Sequence, residues 1–144
     1  MSPLEKRNLY ENDDEVLTGI VQEKKASDIE ERSAKAIDKL LDWEYTFLVR
    51  ISPLSGRVTE TFRNLPGEFE IDFLCQRGAE LFPILIDGEV SHFLAQWQKV
   101  VDEEREAVIN DSLKKYGALP VKRVPFWEVS TQEKADRYFR ELLQ

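Results

Sequence analysis

The sequence predicts a mixed α/β domain, a sheet flanked by helices, with its elements in the order α-β-β-β-α-β-α. Three observations carry that expectation. Apolar residues recur at helical spacing near both ends of the chain's middle third, over 28–42 and 93–116. Between them, Tyr45 to Ile51 is aromatic and β-branched, and Leu81 to Ile86 is almost continuously apolar, as in a strand covered on both faces. Turn signals separate these runs at Ser52-Pro53-Leu54-Ser55-Gly56, Pro66-Gly67, Arg77-Gly78 and Asp87-Gly88.

Taken in order, residues 1–26 mix charges with isolated apolar residues and contain the run Asn12-Asp13-Asp14-Glu15. They read as a loosely ordered arm with a short helix near Val16–Gln22, and the folded domain as 27–144. Ser27 with Glu30, or Asp28 with Glu31, makes a capping box for a helix from Asp28 to Asp42. Its inward face is Ile29, Ala36, Ile37 and Leu40; on a wheel, Glu30 lies near the edge of that face and Glu31 points away. Tyr45 to Ile51 is the first strand, and Arg57 to Phe62 a short edge strand. Glu68 to Leu74 alternates, and a hairpin through Arg77-Gly78 sets it beside Leu81 to Ile86. The long helix runs from Phe93 to Tyr116 with Gly117 as its cap, on a stripe of Leu94, Trp97, Val101, Ala107 or Val108, and Leu113. Val121 to Val124 is a strand, resuming at Phe126–Val129. Ser130 or Thr131 caps a last helix to Leu143.

Composition bounds the chemistry. The 144 residues, 42% hydrophobic and 33% charged, suffice for one domain with a real core. One Cys and one His exclude a disulfide framework and a zinc-finger constellation. Any bound metal must therefore be held by carboxylates, which implies a hard ion. No run approaches a membrane span and the start lacks a signal peptide's apolar core, so a cytoplasmic location and no membrane partner are expected. A net charge of −8 argues against gripping nucleic acid by bulk charge, while leaving room for a local basic face or bound cations.

Two acids stand where strands expect apolar residues or turns. Asp72 lies between Ile71 and Phe73, and Asp87 ends the most apolar strand. The hairpin brings their strands together, so the carboxylates are expected to converge and share a divalent cation. Lys114, Lys115, Lys122 and Arg123 form a local basic patch suited to phosphate. Cys75 reads as a buried small hydrophobe, Trp43, Trp97 and Trp127 as core or partner-contact residues, and Asp102 with Arg105 as a surface ion pair.

The strings GEFEIDFL, PILIDGEVSH, DEEREAVINDSLKKYG and PVKRVPFWEV, in this order over about Asp28 to Gln144, resemble the PD-(D/E)XK nuclease superfamily. The likeness is to its branch related to the very-short-patch repair endonucleases. That resemblance implies a restriction-endonuclease-like αβββαβ core, here with a C-terminal helix added. It also implies a Mg²⁺- or Mn²⁺-dependent deoxyribonuclease acting on DNA. Residue by residue, Asp72 matches the family's metal-binding Asp, Asp87 and Gly88 the Asp-Gly that ends the catalytic strand, and His92 the His that follows. Asp102 and Arg105 match the helix element, Gly117 its end, and Glu30 the acid of the first helix. One position departs. Where the family carries Glu two residues before the Asp, this chain has Leu85, and no Lys follows on the strand. Glu70, on the face of Asp72, and Glu89 are the candidates to replace the acid, and Lys99 the Lys. The implied site is thus Asp72 and Asp87 on the metal, completed by Glu30 or Glu70, with His92 or Lys99 handling protons. The alternative is a nuclease-fold module without catalysis, serving in DNA binding, protein assembly or self-association.

Overall fold

The computed structural model describes residues 16–51, 69–87 and 96–144, with backbone alone at 51, 69 and 96–102, and among these residues a β-hairpin comes first. Its strands, β1 (Ile20–Val21) and β2 (Lys24–Lys25), pair antiparallel. They stand where the sequence led us to expect a loose arm with a short helix. The turn residues Gln22 and Glu23 both have positive φ, 50° and 66°, as a two-residue hairpin turn requires for its twist. The hairpin is tied down by a residue expected to point away. Glu31 is buried, and its carboxylate accepts from the Thr18 amide at 2.9 Å, the Gly19 amide at 2.6 Å and the Thr18 hydroxyl at 3.2 Å.

Helix α1 spans Asp28–Asp38 and uses the Ser27 box: Ser27 Oγ accepts from the Glu30 amide, and the Glu30 carboxylate accepts from the Ser27 amide at 2.8 Å. It stops short of Asp42 because the Lys39 and Leu40 amides turn back to the Ala36 and Ile37 carbonyls, tightening the last turn. Leu41 beyond it is fully exposed.

Among the described residues four strands make one sheet, β3 (Glu44–Ile51), β4 (Phe69–Arg77), β5 (Glu80–Ile86) and β6 (Lys122–Val124), in that spatial order. The first three pair antiparallel and β6 runs parallel to β5, so the sheet is mixed. The turn at Gly78 (φ 58°) joins β4 to β5. Helix α2 (Gln96–Leu113) continues as a 3₁₀ turn over Lys114–Tyr116 and ends on Gly117 in the left-handed conformation, φ 73°. Helix α3 (Gln132–Leu142) starts on Thr131, whose hydroxyl accepts from the Lys134 amide. Phe126–Val129 is a 3₁₀ turn and not a resumed strand; Pro125 precedes it, and the Glu128 amide folds back to the Pro125 carbonyl.

The sheet separates two cores. Ile37 of α1 and Phe139 of α3 pack with Phe47, Phe73, Ile84 and Val124 on one side. Ile109 and Leu113 of α2 pack with Ile71 and Leu85 on the other. Val108 is buried while Ala107 is exposed, and Ile109 joins the stripe. Trp43 is buried with Nε1 donating to the Leu143 carbonyl at 2.8 Å; Trp127 is exposed. The edge strand expected at Arg57–Phe62 and the Pro66-Gly67 turn lie outside the described residues, as do the side chains of Trp97 and Val101 and all of Leu94. Among the described residues no helix is long and apolar enough to cross a membrane.

At Leu48 the β3–β4 ribbon changes face. Phe47 opposes Phe73, and Val49 opposes Ile71. Residues two apart on a regular strand share a face, yet Phe47 and Phe73 belong to the first core while Val49 and Ile71 belong to the second. Leu48 absorbs the rotation with φ 56°, a left-handed conformation costing a non-glycine residue about 1–2 kcal/mol. Lys24 holds the distorted stretch, its Nζ donating to the Phe47 carbonyl at 2.5 Å. Gln22 supports it too, donating from Nε2 to the Tyr45 carbonyl and accepting from the Phe47 amide, both at 2.8 Å.

Candidate active site around Asp72

Asp72 sits where this rotation opens the sheet. The β4–β5 ladder reaches Phe73 opposite Ile84 and records no pair beyond it. At Asp72 the side chain takes over, Oδ2 accepting from the Ile86 amide at 2.7 Å. A carboxylate thus replaces a backbone carbonyl in the ladder, which brings an acid into the seam between the two cores.

Burial is the largest influence on Asp72 and pushes its carboxyl up, to about 6. The Ile86 amide opposes that shift, Glu30 adds to it, Arg105 opposes it and Glu70 adds to it. These four groups come from four elements. Glu30 lies in the first turn of α1, Glu70 two residues before Asp72 on β4, Ile86 at the end of β5, and Arg105 on α2. Two of the other carboxylates expected at the site, Glu30 and Glu70, therefore act on Asp72. One oxygen of Glu30 serves the Ser27 cap. Glu70 is exposed and lies 4.0 Å from Arg50 on the neighbouring strand.

Asp87 has a different partner. Its amide donates to the Val124 carbonyl at 2.8 Å. Its Oδ1 accepts from Arg123 Nε at 3.0 Å and from Arg123 Nη2, and Arg123 Nη1 lies 3.9 Å from Glu106 of α2. Because Leu85 is in register with Arg123, period two places Asp87, Leu85 and Arg123 together on the α2 side. The two aspartates expected to meet over one ion thus have separate partners, and Arg123, expected in the basic patch, is spent on Asp87. Leu85 is buried in the second core. Among the described residues, no three His, Cys, Asp or Glu side chains are grouped so as to hold a metal ion together.

Lys114 and Lys115 are exposed at the end of α2 and Lys122 is exposed on β6, so the patch keeps three lysines. His92, Gly88 and Glu89 lie outside the described residues, as do the side chains of Lys99 and Asp102 on α2. Arg105, expected as a surface partner of Asp102, donates from Nη2 to the Glu70 carbonyl at 3.1 Å. A helical wheel could have placed it there, since Arg105 lies one turn before the buried Ile109. Burial pushes the Cys75 thiol up to about 12, so it stays protonated and inert.

Compared with models of known families, with curated proteins and with solved structures, the chain finds no match in any of the three.

Proposed function

We propose that this chain is a restriction-endonuclease-like domain of the PD-(D/E)XK kind that hydrolyses phosphodiester bonds in DNA with a divalent cation. The observation carrying the reading is Asp72, an acid held in a sheet seam with Glu30 and Glu70 acting on it as like charges. Such a set is relieved by a cation. The donors are all oxygens, which fits Mg²⁺ or Mn²⁺, and Mg²⁺ asks for only one or two carboxylates because it keeps several waters. Asp72 would hold the ion with Glu30 or Glu70. When bound, the ion would lower the pKa of a water and stabilise the phosphoryl group under attack. Arg123 keeps Asp87 oriented at the end of β5, and Arg105 offsets the negative charge of the carboxylates. Lys114, Lys115 and Lys122 would supply further phosphate contacts.

A second reading has its own observation. Leu85 is buried where the family carries an acid, and Asp87 is taken by Arg123. Both favour a nuclease-fold module that binds DNA or assembles with protein, or with itself, without cutting.

Supercoiled and branched DNA, incubated with the protein and Mg²⁺ or Mn²⁺ or a chelator, separates the two. Cleavage that needs the ion, and that falls by a factor on the order of 10² or more in Asp72→Asn, supports the nuclease. DNA bound and left intact under every condition supports the module. Gain of cleavage in Leu85→Glu would identify the missing ligand.

A further inference from the structure

We infer that Arg105 is the anion-binding group of this site, seating a backbone phosphate of DNA against the Asp72 seam; the inference rests on the phosphodiester reading above. Arginine offers five donors in a planar fork. Here one nitrogen, Nη2, is fixed to the Glu70 carbonyl at 3.1 Å, two residues before Asp72. Another, Nε, is enclosed from solvent with no hydrogen-bond partner among the described residues. Native proteins leave few buried donors unpaired, least of all charged ones, because each costs its full desolvation. An orphan N–H on a cation is an unmet demand for an acceptor.

Position says which acceptor answers it. Asp72, on which Arg105 opposes the effect of burial, already takes the Ile86 amide. Glu30 takes the Ser27 amide, and Glu70 faces Arg50. A phosphodiester offers two non-bridging oxygens and one negative charge, which suits the fork bidentately. Anchoring through the Glu70 carbonyl orients the guanidinium beforehand, so little side-chain freedom is lost when the anion arrives. Arg105 also differs from the exposed lysines of the patch in being held by β4. It therefore positions one phosphate, where they attract many.

The test measures binding, not turnover. A short fluorescently labelled DNA duplex is titrated, in Ca²⁺ and in chelator, over a series of salt concentrations. The proteins are wild type, Arg105→Gln, Arg105→Lys, Asp72→Asn and the distant control Arg137→Gln. In Arg105→Gln the affinity falls about tenfold or more, and the slope of log K against log salt becomes shallower by about one phosphate contact. Arg105→Lys keeps the slope and loses part of the affinity, because charge stays and the fork goes. Arg137→Gln changes neither.

Wild-type affinity and slope in Arg105→Gln would overturn the inference, as would wild-type protein that binds no DNA. Should Arg105→Gln fail to melt cooperatively, Arg105→Lys decides: reduced affinity at constant slope supports the assignment, and wild-type affinity overturns it. The two proposals fail separately. If no protein cuts but the Arg105-dependent slope persists, hydrolysis falls and the phosphate seat stands. If wild type cuts and Arg105→Gln binds unchanged, the seat falls and hydrolysis stands.

Discussion

Glu31 and Asp72 are two acids withdrawn from solvent in the same domain, and their carboxyl groups are driven in opposite directions. Burial raises both. At Glu31 the amides of Thr18 and Gly19 and the Thr18 hydroxyl, with the charge of Lys35, outweigh it and hold the carboxyl below its ordinary range. At Asp72 one amide opposes burial while Glu30 and Glu70 reinforce it, and the carboxyl rises to about 6. The number and sign of partners decide the outcome, not depth. Glu31 is an anion the fold has satisfied, and it anchors the hairpin. Asp72 is an acid whose partners do not offset its burial.

Removing each acid gives the largest contrast. Glu31→Ala strips the acceptor from three donors and lowers stability by about 2–3 kcal/mol, read from the denaturation midpoint, with faster hydrogen exchange at the Gly19 amide. Asp72→Asn keeps an acceptor for the Ile86 amide and removes the strained charge, so at about pH 8 it stabilises by roughly 1–2 kcal/mol, raising Tm by some ~2–8 °C. Shifts of the same sign in both variants would break the comparison.

The pH dependences should also oppose one another. Asp72 binds its proton more tightly folded than unfolded, where its pKa is about 3.9. Its contribution is therefore full below about pH 4 and is lost as pH rises through about 6. Glu31 is the reverse: its contribution is present above the ordinary Glu value of about 4.3 and disappears as pH falls through its lowered folded value. Stability curves of Asp72→Asn and Glu31→Gln, each subtracted from wild type, should show these slopes with opposite signs.

A smaller effect tests the neighbouring acid. Arg123→Gln leaves Asp87 beside Glu106 without its cation and costs about 1 kcal/mol. Double replacement with Asp87→Asn should recover part of that loss, by thermal melting. No recovery would mean that the pair is not coupled.

Much of the architecture was legible before the structure. Leu81 to Ile86 read as a strand buried on both faces, and Ile84 and Leu85 do enter separate cores. The Ser27-Glu30 box, the Arg77-Gly78 turn and the Gly117 cap all carry local chemistry that the sequence displays. What escaped depends on tertiary compensation. Nothing about leucine advertises a left-handed backbone at Leu48, and the rotation it permits is stabilised by Lys24 and Gln22 from a distant hairpin. Glu31 looked solvated because the wheel considers one helix only, whereas Thr18 and Gly19 arrive to cover it. Arg123 read as a free cation because pairing with Asp87 needs a parallel strand from beyond α2.

The amide of Gln22 has a consequence for how the chain behaves in company. Among the described residues β3 is an outer strand, and such a border invites another molecule's backbone to dock alongside it. Gln22 fills that berth with its own carbonyl and NH₂, occupying Tyr45 and Phe47 at once. A two-residue turn thereby acts as a stopper against polymerisation. Gln22→Ala should lower the melting point, because the Phe47 amide loses its acceptor, and make concentrated solutions turn cloudy sooner.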